Sequence, residues 1–413
     1  MTSGLAAQQP VPGPGSLLPR SWSHRLARRS AGQDGVLTGI LALANATGVI
    51  NFSGGFPDPS VFPTGVLAEI TERLLRDDAG VAMQYAPSQG IQTTREAISD
   101  RLAESDGRRP GPDELMVTSG GIDAVTLIGR SMLDAGDVVV VEEPTYLGAI
   151  AGFAGFDARM RGVPVDDDGM CVDALAELLD GGLAVKVLYV IPEYQNPSGR
   201  TLSLSRRHAL VELCRRHSVL IAEDVAYREL GFTGSPLPSL WSLAPEVVVQ
   251  MGTFSKTFFP GVRLGWAAGP PEVVAALVVA KQNSDQCAGA LGQRMIEAFL
   301  RGRHFDAQLV RARALYRARG EAMQAALAKH LPGLGTWTTP EGGFFSWLHL
   351  PGVDTTAMSA AARGVDVAYV PGAGFFAERI DNEHLRLSFS RVGEAEIDDG
   401  VARLAGVAAA ARR

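Results

Sequence analysis

Short runs of β-branched residues alternate with amphipathic stretches between about Asp113 and Gly269, and this alternation constrains the fold more than any other feature of the chain. The segment from Ser205 to His217 is one of the amphipathic stretches. The apolar runs occupy residues 138–141, 185–190, 218–224 and 247–252. Buried strands that alternate with helices are typical of a mostly parallel sheet with helices on both faces. The sequence therefore predicts an α/β fold.

A second region with a different pattern begins after Lys281. A long segment rich in Ala, Arg, Leu and Met predicts one or two long helices up to about His330. Further strands are predicted at residues 344–350, 365–370 and 385–389. This region is therefore expected to form a smaller α+β domain.

The expected domain boundaries follow from these changes of pattern. Val36, Leu37, Ile40 and Leu41 recur at helical spacing and predict a helix ahead of a Gly/Pro-rich loop. We expect the following parts: a flexible N-terminal arm at 1–35, an arm helix and substrate loop packing with the small domain at 36–63, a large domain with a sheet of the seven-stranded type at 64–295, and the small C-terminal domain at 296–413.

Composition excludes several classes of protein. The 413 residues are 46% hydrophobic and 20% charged, and no apolar run approaches the roughly 18 residues that span a bilayer. The net charge of −7 leaves no large basic surface, so we expect no nucleic-acid partner. The cysteines Cys171, Cys214 and Cys287 are odd in number and far apart, and they are interpreted as reduced core residues of a cytoplasmic protein.

Several common motifs are absent. The chain has no phosphate loop of the G-x-x-x-x-G-K-[ST] type and no G-x-G-x-x-G after a strand. The acidic run Asp166 to Asp168 lacks the ligand spacing of a calcium loop and is interpreted as a solvated turn. The seven histidines have no zinc-ligand spacing, so no metal site is predicted.

Lysine is rare, and one lysine stands at a strand end. Only four of the 38 basic residues are lysines, and Lys256 follows the strand at 247–252 among small and apolar residues, seven positions before Arg263. Burial of an amine lowers its pKa and makes it the nucleophile that Schiff-base chemistry requires. An arbitrary lysine in such a loop is more often a solvated surface residue.

Polar residues at the ends of neighbouring strands favour the functional interpretation. Asp224 ends the strand at 218–224, where a carboxylate points into the crevice in which open α/β sheets bind ligands, although it could equally be a helix N-cap. Tyr227 follows closely, and Asn196 lies in the loop after the strand at 185–190. These groups are expected to converge on one bound ring.

At this point the chain resembles a known family. It is similar to the fold-type I pyridoxal phosphate (PLP) enzymes of the class I/II aminotransferase superfamily, and within it to the 2-aminoadipate aminotransferase-like group. The similarity extends over nearly the whole chain and is carried, in order, by SWSHR, SGGFPDPSVFP, QYAPSQG, TSGGIDAV, EEPTYLGAI, IPEYQNPSG, AEDVAYREL, GTFSKTFFPGVRLGW, EGGFFSWL and LRLSFS. The resemblance implies an aminotransferase of amino-acid metabolism that uses a ping-pong mechanism.

The resemblance also implies roles for residues around the cofactor ring. Lys256 would form a Schiff base with PLP and move the proton at the substrate Cα, while Asp224 would keep the pyridine nitrogen protonated. Asn196 and Tyr227 would hydrogen-bond the phenolic oxygen, and Tyr146 would stack on the ring face.

The phosphate site follows from local physics as well as from the resemblance. Gly121 and Ile122 begin a predicted helix, whose free N–H groups and dipole favour an anion. Arg263 would add a bidentate donor, and Ser255 and Thr253 would add hydroxyls. The resemblance further implies that Tyr85 reaches the phosphate of a neighbouring subunit, in a homodimer with shared active sites.

On the substrate side, the resemblance implies that Arg386, with Asn196, binds the α-carboxylate. Without the resemblance, an arginine on such a strand is more often a surface residue. Gly55 and Gly39 would line the substrate site, and relatives that use aminoadipate carry arginine where this chain has Gly39. A glycine offers no charge to a distal carboxylate, so aminoadipate is not expected to be the main substrate.

Alternatives remain open at this stage. The same cofactor and fold support decarboxylation, β-elimination or oxidative reactions, because the fold does not decide which bond at Cα breaks. Related sequences also serve as effector domains fused to a winged-helix DNA-binding module. Because only about 35 residues of this sequence precede the arm helix and the net charge is negative, we do not expect that module here.

Overall fold

A computed structural model describes residues 48–234 and 236–412, together with the isolated positions 25 and 27. All the helices and strands below lie within residues 36–413, which form one compact unit. The predicted helix at the start of the 36–63 segment lies outside the described residues.

Fourteen strands are present in the described part of the chain. In chain order they are β1 Ile50–Asn51, β2 Leu115–Thr118, β3 Val138–Glu143, β4 Arg159–Asp166, β5 Gly169–Met170, β6 Val185–Val190, β7 Leu220–Asp224, β8 Val248–Thr253, β9 Gly265–Ala268, β10 Thr336–Trp337, β11 Phe345–His349, β12 Val367–Ala368, β13 Val370–Pro371 and β14 His384–Ser388.

The main sheet has the order β2-β9-β8-β7-β6-β3-β4-β5. The pairs β3–β4, β3–β6, β6–β7 and β7–β8 are parallel, whereas β9 is antiparallel to both of its neighbours. The prediction of an α/β fold with a mostly parallel sheet is confirmed. The sheet has eight strands rather than the expected seven, because the two-residue strand β5 forms an edge hairpin with β4. The turn of this hairpin contains Asp167 and Asp168, as expected for the acidic run.

Helices connect and cover the strands. Their bounds are Thr64–Asp77, Ala79–Ala82, Gln92–Asp106, Gly121–Met132, Leu147–Ala154, Val172–Asp180, Leu204–His217, Leu240–Leu243, Pro271–Gln282, Ala290–Arg301, His304–His330, Thr355–Arg363 and Glu394–Ala411, with short 3-10 helices at Pro59–Val61, Arg228–Leu230, Pro260–Val262 and Gly372–Phe375.

The parallel strands are buried on both faces, because successive side chains point in opposite directions. On β7, Ile221 packs into one apolar cluster and Ala222 into another. The second cluster also contains Tyr189 of β6 and residues of the helix Gly121–Met132. This alternation decides that Asp224 faces the same side of the sheet as Ala222, while Glu223 faces the opposite side.

A second sheet of four strands, in the order β10-β11-β14-β13, is antiparallel throughout. Trp347 on β11 pairs directly with Arg386 on β14. The two longest helices, His304–His330 and Glu394–Ala411, pack against each other beside this sheet. Its position matters for the site, because β14 carries an arginine towards the carboxyl ends of the main strands.

Two further observations concern expectations from composition. Of the cysteines, only Cys214 is buried, and Cys171 and Cys287 are partly exposed, so the expectation of three core residues is wrong for two of them. Cys171 precedes the helix Val172–Asp180 and Cys287 lies in a loop, which explains their exposure. Among the described helices, none combines the length and the apolar composition needed to cross a bilayer.

Candidate active site

The candidate site lies at the carboxyl ends of the parallel strands, where open α/β sheets bind ligands. Asp224 is the last residue of β7, and Lys256 follows the end of β8. Asn196 lies in the loop after β6, and Tyr146 follows β3 as the residue before the helix Leu147–Ala154. Because the strands are neighbours in the sheet, residues distant in the sequence meet at one edge.

Lys256 is half-buried, and its amine is held by the backbone of another segment. Nζ donates a hydrogen bond of 2.8 Å to the carbonyl oxygen of Gly55. Burial, together with the positive charges of Arg386 and Arg263, lowers the pKa of Lys256 to about 8, although the charge of Asp224 acts in the opposite direction. An amine with this pKa is partly unprotonated near neutral pH, as a nucleophile must be.

This lowered pKa leads to a pH prediction for the apo-protein. Only the unprotonated amine reacts with an acylating reagent, so we expect the labelling rate of Lys256 to rise with pH and to be half-maximal near pH 8 rather than near the ordinary value of 10.5. The rates are measured residue by residue by mass spectrometry of digests. Lys329, whose side chain is 63% exposed, is the internal control. A Lys256 profile that coincides with that of Lys329 would contradict the prediction.

Asp224 is buried and accepts two hydrogen bonds. The Tyr189 hydroxyl donates to Oδ2 at 2.7 Å, and the backbone N–H of Ala226 donates to Oδ1 at 3.0 Å. Burial raises the pKa of Asp224, while these two hydrogen bonds and the charge of Lys256 partly oppose the increase. Because burial disfavours the charged form of Asp224, a cationic ligand group beside it would stabilise that charge.

Sequence reasoning missed Tyr189, which lies on β6 and is fully buried. Its ring packs edge-on against Phe153, with the ring centres 5.9 Å apart. Burial and the charge of Asp224 raise the pKa of Tyr189 well above its ordinary value, so the hydroxyl remains a donor. The available signal was a tyrosine near the end of a buried parallel strand, since a buried hydroxyl needs a partner and the next strand ends in Asp224.

Asn196 and Tyr227 lie side by side. Both are buried, and the Asn196 side chain partly opposes the effect of burial on the pKa of Tyr227. The Tyr227 ring packs edge-on against Phe345 at 5.7 Å, and the Lys256 amine lies 6.0 Å from its centre. Burial raises the pKa of Tyr227, so its hydroxyl is protonated across the physiological range.

Arg386 is only 4% exposed and projects from β14 into the same region. Nη1 donates to the side-chain oxygen of Asn196 at 2.8 Å, and Nη2 donates to the carbonyl oxygen of Ser53 at 2.6 Å. The guanidinium carbon lies 4.2 Å from the ring centre of Phe345 and 5.0 Å from that of Phe375. The arginine is therefore clamped between aromatic rings, with its charge directed towards polar groups.

The charge of Arg386 has no acidic partner in residues 48–234 and 236–412, and its Nε makes no hydrogen bond there. Burial lowers the pKa of Arg386 to about 10, which still leaves the side chain cationic at neutral pH. A buried cation of this kind is costly unless an anion pairs with it. The geometry therefore suits a carboxylate ligand that binds beside Asn196.

The turn before the helix Gly121–Met132 forms a second anion-binding region. Gly120 has a φ of +101°, and a Cβ on it would lie 2.8 Å from Nη2 of Arg263, so only glycine allows this approach. Nη2 of Arg263 donates to the carbonyl oxygen of Ser119 at 3.2 Å, and Nη1 donates to Ser255 Oγ at 3.4 Å. The hydroxyl of Thr253 donates to Ser255 Oγ at 3.0 Å. Gly121 and Ile122 begin the helix, so their N–H groups are free of helical partners.

Tyr146 and Gly55 are in the same region, whereas Tyr85 is not. The Tyr146 ring lies across Gly148, where a Cβ would approach the ring to 2.5 Å. Tyr85 is 80% exposed and is not brought to the site of its own chain. Gly39 lies outside the described residues, so the prediction for it is not addressed.

The donor set fits pyridoxal phosphate. Asp224 offers a buried anion for a protonated ring nitrogen, and Arg263 with the helix N-terminus offers donors for a phosphate dianion. Lys256 offers the amine for an aldehyde, and the unpartnered Nε of Arg386 leaves a cation for the carboxylate of an amino acid. This arrangement on this fold defines a class of enzyme that depends on pyridoxal phosphate.

Comparison with known proteins identifies the family. Residues 47–404 match the model of the family "Aminotransferase class I and II". The chain is 38% identical to aromatic-amino-acid aminotransferase 1 of Thermococcus litoralis, with 89% of each chain covered. It is 36% identical to the 2-aminoadipate transaminase of Thermus thermophilus, with 94% of this chain and 97% of the relative covered.

A solved structure gives the same result. The alpha-aminoadipate aminotransferase of Thermus thermophilus, complexed with N-(5'-phosphopyridoxyl)-L-leucine, superposes with a TM-score of 0.87 at 35% identity, with 94% of this chain and 98% of that chain covered. The chain therefore belongs to the class I and II aminotransferase family and is a pyridoxal phosphate-dependent aminotransferase.

Proposed function

We propose that the protein moves an amino group between an L-amino acid and a 2-oxo acid in ping-pong order, with Lys256 as the amine that condenses with the cofactor aldehyde. The proposal depends on one observation: Lys256 and Arg386 both contact the loop that contains Ser53 and Gly55. Lys256 Nζ bonds the carbonyl of Gly55, and Arg386 bonds the carbonyl of Ser53. A substrate carboxylate bound to Arg386 would therefore hold its Cα beside the lysine.

Each residue has a part in this scheme. When bound, the cofactor supplies an aldehyde and a ring that accepts the electrons released at Cα. Asp224 holds a proton on the ring nitrogen, and Asn196 and Tyr227 orient the ring through its phenolic oxygen. Lys256, whose pKa is lowered to about 8, removes and returns the proton at the substrate Cα.

The substrate class is proposed from the relatives and from the site. The relatives are named for aromatic amino acids and for 2-aminoadipate. The walls beside Arg386 are aromatic, with Phe345 and Phe375 in contact with the guanidinium. We therefore propose aromatic or other apolar L-amino acids as donors and 2-oxoglutarate or pyruvate as acceptors.

Single-turnover stoichiometry tests the proposed function. The cofactor-loaded protein is mixed with an aromatic L-amino acid in the absence of an acceptor. We expect one 2-oxo acid per active site and then arrest, with turnover resuming when 2-oxoglutarate is added. Release of carbon dioxide or ammonia would instead identify a decarboxylase or a lyase.

Replacing Arg386 by methionine is expected to lower kcat/KM for an L-amino acid by about 100-fold, because a buried charge-assisted contact with the carboxylate is lost. The decarboxylated amine of the same side chain has no carboxylate, so its much lower kcat/KM should change by less than about threefold. Steady-state kinetics with L-phenylalanine and phenethylamine measure both values. A parallel loss for the two substrates would show that Arg386 acts through packing instead.

We also propose a homodimer in which Tyr85 completes the phosphate site of the partner. Leu75, Val81, Met83 and Tyr85 are between 46% and 80% exposed on one stretch of chain, which is an unusual apolar surface for a monomer. A second copy would cover this surface and bring Tyr85 to the other subunit.

Hybrid dimers test the shared site. A Lys256→Ala chain and a Tyr85→Ala chain are each expected to have low activity at limiting cofactor. In the mixed dimer, one of the two sites combines a native Lys256 with a native Tyr85, so subunit exchange should restore about a quarter of the native site density. Activity that stays at the sum of the two variants after exchange would contradict sharing.

A further inference from the structure

A buried lysine lies behind the turn that precedes the helix Gly121–Met132, which we call the phosphate turn. This lysine has no part in the proposed transfer of the amino group. Lys281 occupies the last turn of the helix Pro271–Gln282 and is 0% exposed. It is one of only four lysines in a chain with 38 basic residues. Burial of a flexible cation at this position requires partners and suggests a specific role.

The Lys281 ammonium is fully satisfied by three side chains. Nζ lies 2.9 Å from Asp123 Oδ2, 2.9 Å from both carboxylate oxygens of Asp285, and 3.1 Å from Ser119 Oγ. The three N–H donors of the ammonium thus have three side chains as partners. This arrangement suits a compact ammonium better than the planar guanidinium of an arginine. One cation is set against two carboxylates.

Two of the three partners of Lys281, Ser119 and Asp123, belong to the phosphate turn and the helix that follows it. The backbone N–H of Ser119 donates to Asp123 Oδ2 at 2.7 Å, and the Ser119 carbonyl accepts from Arg263 at 3.2 Å. Asp123 lies in the first turn of the helix that begins at Gly121. Ser119 is therefore held from one side by the Lys281 cluster and from the other by Arg263, the proposed phosphate ligand.

The cluster also has an electrostatic consequence. Asp123 sits at the helix N-terminus, where the dipole stabilises negative charge, so it would repel a phosphate bound at the same end. Asp285 adds a second carboxylate close by, and its side chain is 37% exposed. Lys281 offsets one of these two negative charges and so weakens their repulsion of a dianion bound by the N–H groups of the turn and by Arg263.

We propose that Lys281 is a positioning residue for the cofactor phosphate, acting through Ser119 and by offsetting one of the two negative charges of Asp123 and Asp285. The inference rests on the proposed phosphate site at Gly121, Ile122 and Arg263. It concerns the preference of the apo-protein for a phosphorylated ligand and leaves the chemistry at Lys256 unchanged.

The test compares the affinity of the apo-protein for pyridoxal phosphate with that for pyridoxal, which has the same ring and aldehyde without the phosphate. Equilibrium titration of the full chain measures both dissociation constants. For Lys281→Met we expect the dissociation constant of pyridoxal phosphate to rise on the order of 30-fold and that of pyridoxal to change less than about threefold. Adding Asp123→Asn to this variant should recover most of the loss, because one of the uncompensated carboxylates is removed.

Two further variants keep the test decisive if Lys281→Met folds poorly. Ser119→Ala leaves the lysine with both carboxylates and removes the hydroxyl that accepts from Lys281 and donates to Asp285. Pyridoxal phosphate should then bind about three- to tenfold more weakly, with no change for pyridoxal. Lys329→Met removes an exposed lysine paired with Asp398 and should change neither constant. Equal losses for both ligands in Lys281→Met or Ser119→Ala would overturn the inference in favour of simple packing.

Failure of the inference is distinguishable from failure of the proposed site. A wild-type chain that binds pyridoxal as tightly as pyridoxal phosphate would contradict the phosphate site itself. A wild-type chain that prefers pyridoxal phosphate, with the same preference in Lys281→Met and in Ser119→Ala, would contradict only the role of Lys281.

Discussion

Replacement of Lys256 by alanine is expected to lower kcat/KM for amino-group transfer by at least about 10⁴-fold, because we propose that this one amine acts both as nucleophile and as base. Burial and neighbouring cations lower the pKa of this amine to about 8, so it can exchange its proton near neutral pH. The effect is measured in a coupled assay with an aromatic L-amino acid and 2-oxoglutarate, with circular dichroism to check folding.

The other lysines of the chain cannot replace Lys256. Lys281 is tied to two carboxylates, and Lys186 and Lys329 form surface ion pairs, at 2.6 Å with Asp137 and at 2.9 Å with Asp398. Lys329→Ala is therefore the matched control and should retain full activity. If Lys256→Ala kept more than about 1% of native kcat/KM, the proposed role of its amine would be wrong.

The elements of the main sheet that were predicted correctly are those whose burial is visible locally. The predicted strand at 185–190 coincides with β6, and the predicted strand at 247–252 differs from β8 by one residue at each end. A strand buried on both faces needs a continuous apolar run, which the sequence displays directly.

Pairing between distant segments was not predictable in the same way. Strand β9 is only four residues long and contains Gly265 and two alanines, so it has no strong strand signal. Its direction, antiparallel to β2 and β8, depends on partners far away in the sequence. The edge hairpin strand β5, with two residues, likewise depends on its pairing with β4.

The site residues divide in the same way, into those with a local sequence signal and those that depend on contacts between distant segments. Asp224 could be proposed because it ends an apolar run, and Lys256 because it follows another within a few residues. Lys281 could not, because its role depends on a contact across the fold with Asp123. For Tyr189 the sequence gives only its place near the end of a buried strand, and the contact with Asp224 is evident only from the packing. A tyrosine within a strand and a lysine near a helix end look ordinary until the packing is known.

Replacement of Asp224 by asparagine is expected to lower kcat by about 10³-fold, since a buried anion that we propose to hold the ring nitrogen protonated is replaced by a neutral amide. The substitution retains size and an acceptor for the Tyr189 hydroxyl. Single-turnover rates at saturating cofactor separate this loss from weaker cofactor binding.

The neighbouring residue provides a matched control, because Glu223 is also buried and faces the other side of the sheet. Its carboxylate accepts from the backbone N–H groups of Leu240 at 2.7 Å and Trp241 at 3.0 Å, and burial raises its pKa to about 7. Glu223→Gln should lower the melting temperature while the rate per bound cofactor changes less than about threefold. Similar rate losses in Glu223→Gln and Asp224→Asn would mean that any buried charge on this strand matters.

Tyr189→Phe tests whether the ionisation of Asp224 controls turnover, because it changes the pKa of Asp224 without removing the side chain. The hydrogen bond from Tyr189 lowers the pKa of Asp224 against the effect of burial, so its removal should raise that pKa. Asp224 would then lose its charge at a higher pH than in the native chain, and the acid limb of the kcat/KM profile should move to higher pH, with less than about a tenfold loss at the optimum. Glu223→Gln should leave that limb in place. An unshifted limb in Tyr189→Phe would show that the ionisation of Asp224 does not control turnover, even if Asp224→Asn is inactive.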